Sequence, residues 1–94
     1  MFNFVNSISE CITGTINLLF VSASLTIDLS DLDNFEDGVI IFLAKINGSA
    51  NVYVNHTSGA WFSDGVKRNE EYRRAIPASA SIVTVRNGTV YVLI

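Results

Sequence analysis

The chain is poor in charged residues and in cysteine, and both shortages restrict what the protein can be. Charged residues make up 16% of the 94 positions, whereas a typical soluble domain carries about 25%. Cys11 is the single cysteine, so an internal disulfide framework is excluded. We expect its thiol to be buried and unreactive.

Long apolar runs and glycine-rich loops are also missing. No segment reaches the roughly 18 consecutive apolar residues of a membrane-spanning helix, and no basic residue precedes the first apolar run. Neither a membrane span nor a secretory signal peptide is therefore expected. None of the six glycines belongs to a phosphate-binding loop, which argues against a nucleotide cofactor. The net charge of −3 argues against nucleic acid as the main partner.

The sequence has an excess of apolar residues, which make up 49% of the chain. Most of them alternate with a period of two, which is typical of β-strands. The length predicts a single domain, residues 1–94, and a chain this short buries only about 60–65% of its unfolded surface. More apolar residues are therefore present than the core of one chain can bury. This surplus is largest at residues 39–44, in the first twenty residues and in the C-terminal strand, and we expect a neighbouring protein to cover it.

The strongest local signal is a C-terminal hairpin. Two β-branched runs are joined by Asn87-Gly88, a dipeptide that tolerates the positive φ angles of a type I′ turn. A two-residue turn fixes the register and places Val85 opposite Val90 and, further along, Val83 opposite Val92. A second hairpin is predicted on the same grounds at Asn47-Gly48, with Leu43 opposite Val52. Its first strand, residues 39–44, is apolar on both faces and should be central and covered on both sides.

The first thirty residues are less clear. Residues 12–20 and 21–29 each alternate as strands do, and a change of parity between them calls for a bulge or tight bend near residues 19–21. A short helix at residues 3–10 remains an alternative for the first segment. Residues 66–77 suit one helical turn with charged pairs, ended by Pro77. The fold class predicted is all-β, a small antiparallel β-sandwich or jelly-roll-like domain of six or seven strands.

Few residues could carry catalysis. His56 is the single histidine and is expected at a strand end, exposed, without a sequence-level partner such as Cys11. The acidic segment 30–38 offers oxygen ligands that calcium accepts, but its spacing fails the EF-hand pattern. Its carboxyl groups are expected to be too exposed for shifted pKa values. We predict no catalytic, cofactor-binding or metal-binding residues, with a structural calcium ion as the alternative for this segment.

Charge is divided unevenly along the chain. All six charged residues before Lys45 are acidic, whereas from Lys45 onward six basic residues stand against three acidic ones. Opposite charges in the two halves pair either within one molecule or in a head-to-tail contact between copies.

The predicted function is that of a non-enzymatic structural subunit. It would pack into a homo-oligomer or a larger protein shell, such as the accessory proteins of a viral capsid or tail. No cofactor and no small-molecule substrate are expected. Aromatic and arginine side chains dominate protein interfaces, and they supply the candidate contact residues: Phe2, Phe4, Trp61, Phe62, Tyr72, Arg73 and Arg74.

Two other functions are kept open. The first is a β module that binds a glycan or another surface ligand through Trp61, Tyr53, Tyr72 and the nearby arginines. The second is a membrane-surface protein with an amphipathic helix at residues 2–20, although that segment has no basic residue to meet anionic lipid.

Overall fold

The computed structural model describes residues 1–35, 37–78 and 80–94, which are mostly β-strand. Within these ranges, ten strands and two short 3-10 helices, Ile8–Glu10 and Leu29–Asn34, follow one another along the chain. The strands are β1 (Phe2–Val5), β2 (Ile16–Val21), β3 (Leu25–Asp28), β4 (Asp37–Lys45), β5 (Val52–Asn55), β6 (Trp61–Ser63), β7 (Val66–Arg68), β8 (Arg74–Ala75), β9 (Ala80–Arg86) and β10 (Thr89–Leu93).

These strands form two sheets. The large sheet has seven strands in the order β1-β2-β4-β9-β10-β6-β7, and the small sheet has three in the order β3-β5-β8. The pairs β1–β2, β2–β4, β6–β10 and β3–β5 are parallel, and the other pairs are antiparallel. The chain therefore changes sheet between β2 and β3 and returns to the large sheet at β4.

A single core receives side chains from both sheets. The large sheet contributes buried aliphatic side chains from β2, β4, β9 and β10, and the small sheet contributes Ile27, Val52 and Val54. Leu29 and Leu32 of the second 3-10 helix are fully buried in the same core. The molecule measures 34 × 33 × 19 Å. Because packed sheets lie about 10 Å apart, its short dimension has room for these two layers and no third.

A buried asparagine fixes the start of the large sheet. Asn17, in β2, accepts hydrogen bonds from the Asn3 side chain at 2.9 Å and from the Ile12 backbone N–H at 3.0 Å. Its amide group donates to the carbonyls of Ile12 and Ile40, both at 2.9 Å. The side chain thus joins β1, the loop before β2 and β4. A fully buried amide is stable here because its oxygen and both of its N–H groups are paired.

The prediction of an all-β domain is confirmed, but its details differ. The described residues contain ten strands rather than six or seven, because short strands such as β7 and β8 lack a periodic pattern. The sheets are not purely antiparallel, since four pairs are parallel. The segment 3–10 is mainly strand β1 followed by one 3-10 turn, and the bend predicted near residues 19–21 lies at residues 22–24.

The C-terminal hairpin is confirmed in register. Val85 pairs with Val90 and Val83 pairs with Val92. Asn87 and Gly88 have φ angles of 51° and 75°, as a type I′ turn requires.

The hairpin predicted at Asn47-Gly48 is wrong, because β4 and β5 belong to different sheets. Here Asn47 is an Asx-turn residue, with its side-chain oxygen accepting from the Ser49 N–H at 3.1 Å. Its amide group donates to the Ser22 carbonyl, and the Ile46 N–H donates to Val21. These bonds hold the turn against the end of β2, so the chain leaves the large sheet and β5 pairs with β3.

The helical turn predicted around residues 70–74 is also wrong. That segment runs from β7 through a turn at residues 70–71 into β8. A hairpin that the sequence analysis missed precedes it. Asp64 and Gly65 have φ angles of 49° and 83° and join β6 to β7, with Ser63 paired to Val66. Asp-Gly between two short strands is a recognised signal for this turn.

Candidate functional site

The outer face of the large sheet, the side that points away from the core, is apolar over most of its width. One row of paired residues crosses all seven strands: Phe2, Ile16, Ile40, Thr84, Tyr91, Phe62 and Lys67. A second row crosses five strands: Phe4, Leu18, Phe42, Ile82 and Leu93. Phe20 and Ala44 begin a third. We call these rows the outer face.

The outer face is exposed within one copy of the chain. Phe2 is 60% exposed, Phe4 70%, Phe20 49% and Ile40 43%. Single exposed apolar residues are normal on a protein surface, whereas a contiguous patch of several hundred square ångströms marks an interaction site. The apolar residues of the outer face are contiguous, because they are neighbours in a continuous register.

Aromatic side chains contact each other at both ends of the outer face. The rings of Phe4 and Phe20 are tilted, with centroids 6.2 Å apart. The rings of Phe62 and Tyr91 are stacked, with centroids 5.1 Å apart and an interplanar angle of 19°. Such pairs stabilise neighbouring strands, and they also give the face rigid apolar groups of the kind that anchor interfaces.

Charged side chains lie at the periphery of the outer face. Lys67 is on the edge strand β7. Arg86, at the end of β9, and Asp37, at the start of β4, lie opposite each other in the strand register. The strands β1, β2 and β10 bring no charged residue to it. The sequence produces this arrangement because β2 and β4 have apolar residues at both parities, apart from the buried Asn17, so each strand has a largely apolar side for the core and another for the outer face.

The predicted contact residues are divided among three places. Phe2 and Phe4 lie on the outer face at one edge of the sheet, and Phe62 lies on the same face near the other edge. Trp61 is fully buried in the core, where its indole N–H donates to the Asn69 carbonyl at 3.2 Å. It therefore has no surface to offer a partner, and its neighbour Phe62 is the aromatic residue that reaches the outer face.

Tyr72, Arg73 and Arg74 lie away from the outer face. The Arg68 guanidinium covers the Tyr72 ring at 4.0 Å, and the Arg73 guanidinium covers the Tyr53 ring at 3.9 Å. Arg74 forms an ion pair with Asp64 at 2.9 Å, which ties β8 of the small sheet to the β6–β7 turn of the large sheet. These contacts are cation–π and ionic links within the fold. They leave little of the open aromatic surface on which a sugar would stack.

His56 is buried, not exposed as expected, and it joins the acidic segment to the β5–β6 loop. Its Nε2 lies 2.7 Å from Asp33 Oδ1, and its Nδ1 lies 3.1 Å from the Gly59 carbonyl oxygen. The hydroxyl of Ser58 donates to the other carboxylate oxygen of Asp33 rather than to His56. The cluster therefore lacks a hydroxyl that the histidine could deprotonate. It holds one loop against another.

Two neighbouring carboxyl groups have lowered pKa values: Asp28, which lies just before the acidic segment, and Asp33 within it, the latter contrary to the sequence-based expectation. Partial burial works to raise the pKa of Asp28, but hydrogen bonds donated by Thr57 and Ser30 outweigh it and lower the pKa to about 2. Burial likewise opposes ionisation of Asp33, and the hydrogen bonds from Ser58 and His56 lower its pKa. Ser30 is close to Asp28 in sequence, but the partners at residues 56–58 are distant along the chain and left no signal in the sequence.

Cys11 is buried, as predicted. Burial, with a smaller effect from the charge of Glu10, raises the pKa of its thiol to about 11. The thiolate is the reactive form of cysteine, so this side chain is inert near neutral pH.

A cleft of about 340 Å³ opens beside β2 and β3. Its apolar lining includes Ile8, Leu19, Phe20 and Leu25. Asp28 and Asp31 also line it. In the described ranges, no three histidine, cysteine or acidic side chains are grouped so that they could hold a metal ion. The calcium alternative for segment 30–38 thus has no grouped ligand set among the acidic side chains that are described.

Comparison with known protein families, with curated proteins and with solved structures finds no match for this chain. The function must therefore be inferred from the outer face and the loop clusters. Among residues 1–35, 37–78 and 80–94, no helix is both long enough and apolar enough to cross a membrane.

Proposed function

We propose that the protein is a non-enzymatic structural subunit, a small β-sandwich that packs through its outer face into a homo-oligomer or a larger protein shell. The observation that carries this proposal is the continuous apolar register of the outer face, with its exposed phenylalanines and Ile40. In water such a face costs free energy in proportion to its apolar area, at about 25 cal/mol per Å².

The occupant that we propose for this face is a second copy of the chain. Seven strands spaced about 4.8 Å apart, with roughly five residues each at 3.3 Å, give a face of about 500 Å² per copy. Two copies packed face to face would bury on the order of 1,000 Å², which is about the lower limit for a biological interface. The face has no charged residue in its centre, so two copies can meet without like charges in contact.

The test compares the molar mass of the wild type with those of two variants by size-exclusion chromatography with light scattering. Ile40→Lys places a charge in the middle of the outer face, whereas Leu25→Lys places one on the small sheet at nearly the same exposure, 42% against 43%. We expect an oligomeric wild type, a smaller mass for Ile40→Lys and an unchanged mass for Leu25→Lys. A wild type that is monomeric at 10.3 kDa contradicts the proposal.

The alternative function, a module that binds a glycan, is not favoured by any contact in the described residues. Its expected platform consists of Trp61, which is buried, and of Tyr53 and Tyr72, which arginines cover.

A further inference from the structure

We infer that β1 is a strand-pairing edge, which takes β1 of a second copy in antiparallel register and extends the large sheet across a two-fold axis. The inference rests on the proposed function, since it names a second contact between copies of the same subunit. It depends on a different observation, however, namely the backbone and charge of an edge strand rather than the outer face.

The backbone of β1 has hydrogen-bonding groups directed to the open edge. The Met1 carbonyl accepts from the Ile16 N–H of β2, and alternate residues of a strand direct their backbone groups to the same side. Residues 1, 3 and 5 therefore serve the pairing with β2, whereas the N–H and C=O groups of Phe2 and Phe4 point away from it. β1 is the first strand of the large sheet, so these groups face the edge.

The charges of the edge strands single out β1. The two sheets have four edges, formed by β1 and β7 in the large sheet and by β3 and β8 in the small sheet. β7 carries Lys67 and Arg68, β3 carries Asp28 and β8 carries Arg74. Charged residues on an edge are the usual protection against pairing with another strand. β1, with the sequence Phe-Asn-Phe-Val, has none.

The same comparison favours a second copy as the occupant. In an antiparallel pair about a two-fold axis, a charged residue near the axis lies opposite or close to its own copy, and like charges in that position are destabilising. Among the four edges, β1 alone brings no charged side chain to such a pair in any register. With Asn3 on the two-fold axis, Phe2 of each copy lies opposite Phe4 of the other. This register gives about four backbone hydrogen bonds and two cross-strand aromatic pairs.

β1 is also held firmly enough to act as a template. The Asn3 side chain donates to Asn17 at 2.9 Å and to the Glu10 carbonyl at 3.4 Å. Phe4 contacts Phe20 of β2. The pairing would make the outer faces of two copies continuous, since Phe2 and Phe4 lie on that face in both. Together, the edge contact and the face contact build an assembly larger than a dimer.

The experiment is done in the Ile40→Lys protein, where the face contact is removed. Phe4→Pro deletes an edge-directed N–H without deleting a β1–β2 hydrogen bond, and Phe4→Ala loses the same ring but keeps that N–H. We expect Ile40→Lys to be a dimer by light scattering. Adding Phe4→Pro should weaken this dimer at least tenfold more than adding Phe4→Ala. Amide exchange on the wild type gives a second readout, in which the Phe2 and Phe4 amides are protected at high protein concentration and exchange faster on dilution.

The outcomes separate the two proposals. If Ile40→Lys is a monomer while the wild type is an oligomer, the edge inference is overturned and the outer-face proposal stands. Equal dimer affinities for the Phe4→Pro and Phe4→Ala proteins, with Phe2 and Phe4 amides that exchange alike at all concentrations, overturn the edge inference as well. If Ile40→Lys has the mass of the wild type and only Phe4→Pro lowers it, the outer-face proposal fails and the edge inference stands.

Discussion

Phe4 and Phe20, on neighbouring strands, contact each other with ring centroids 6.2 Å apart, yet both rings remain about half or more exposed. Two aromatic rings that pack together are expected in a core. Here they lie on the outer face, beside the open edge of the large sheet. This pair illustrates the central feature of the molecule, which is a second apolar side on a sheet whose first apolar side already forms the core.

Replacement of adjacent residues in β2 should separate folding from association. Phe20→Ser removes an exposed ring and should change the free energy of unfolding of the dilute protein by less than about 1 kcal/mol, while it weakens association. Leu19→Ser affects a side chain that is 3% exposed, and it should destabilise the fold by about 3 kcal/mol or more. Urea denaturation at low protein concentration measures both. Similar losses for the two variants would place Phe20 in the core and contradict the account.

Asn17 should be one of the most sensitive polar positions. Asn17→Ala leaves the Ile12 N–H and carbonyl without their side-chain partner and removes the side-chain bond to the Ile40 carbonyl, which should cost about 2–4 kcal/mol of stability. The exposed Asn6→Ala is the matched control and should stay within about 0.5 kcal/mol of the wild type. Chemical denaturation tests both variants, and a loss at position 17 no greater than at position 6 would show that the network is not stabilising.

Stability should fall in acid because of Asp28. The pKa of this carboxyl is lowered from 3.8 to about 2 in the folded protein, so the folded state favours the ionised form. The contribution is complete above about pH 4 and is lost as the pH falls from about 4 to 2. Asp28→Asn should be less stable near neutral pH and should show a shallower decline in this range. Thermal unfolding between pH 2 and 7 measures the pH dependence of stability for the wild type and for Asp28→Asn. Parallel profiles for the two proteins would rule out this role of Asp28.

Cys11 should resist alkylation in the folded protein. With a pKa of about 11 and a buried position, its thiol is almost entirely protonated at pH 8 and shielded from reagents. Mass spectrometry after treatment with iodoacetamide should show no modification of the native protein and complete modification in denaturant. Rapid labelling of the native protein would mean that the segment before β2 opens readily.

Local signals in the sequence were reliable where the structure itself is local. The Asn87-Gly88 hairpin was predicted with its register because the two strands adjoin the turn and pair with each other. The same dipeptide at Asn47-Gly48 wrongly predicts that β4 pairs with β5. In the structure β4 pairs with β9 and with β2, and the β2 partners lie more than twenty residues earlier in the chain. Parallel pairing over such a distance leaves no trace in the spacing of turn residues.

The sequence predicts the candidate site only in part, since it shows which segments have surplus apolar residues but not how they come together. The apolar surplus at residues 39–44, in the first twenty residues and in the C-terminal strand comes together on the outer face, where Ile40, Phe20 and Leu93 all lie. Its shape depends on the strand order and could not be read from the sequence. Composition alone also could not assign Trp61 to the core and Phe62 to the outer face, since that choice depends on the register of β6 with β10.

The most direct test of the central claim is an isotope-filtered NMR experiment on a mixture of labelled and unlabelled protein. If a second copy covers the outer face, cross-peaks between copies should arise from Phe20, Ile40 and Phe42, and none should arise from Leu25 on the small sheet. An assembled protein whose cross-peaks between copies come from other surfaces, with none from these three side chains, would contradict the account.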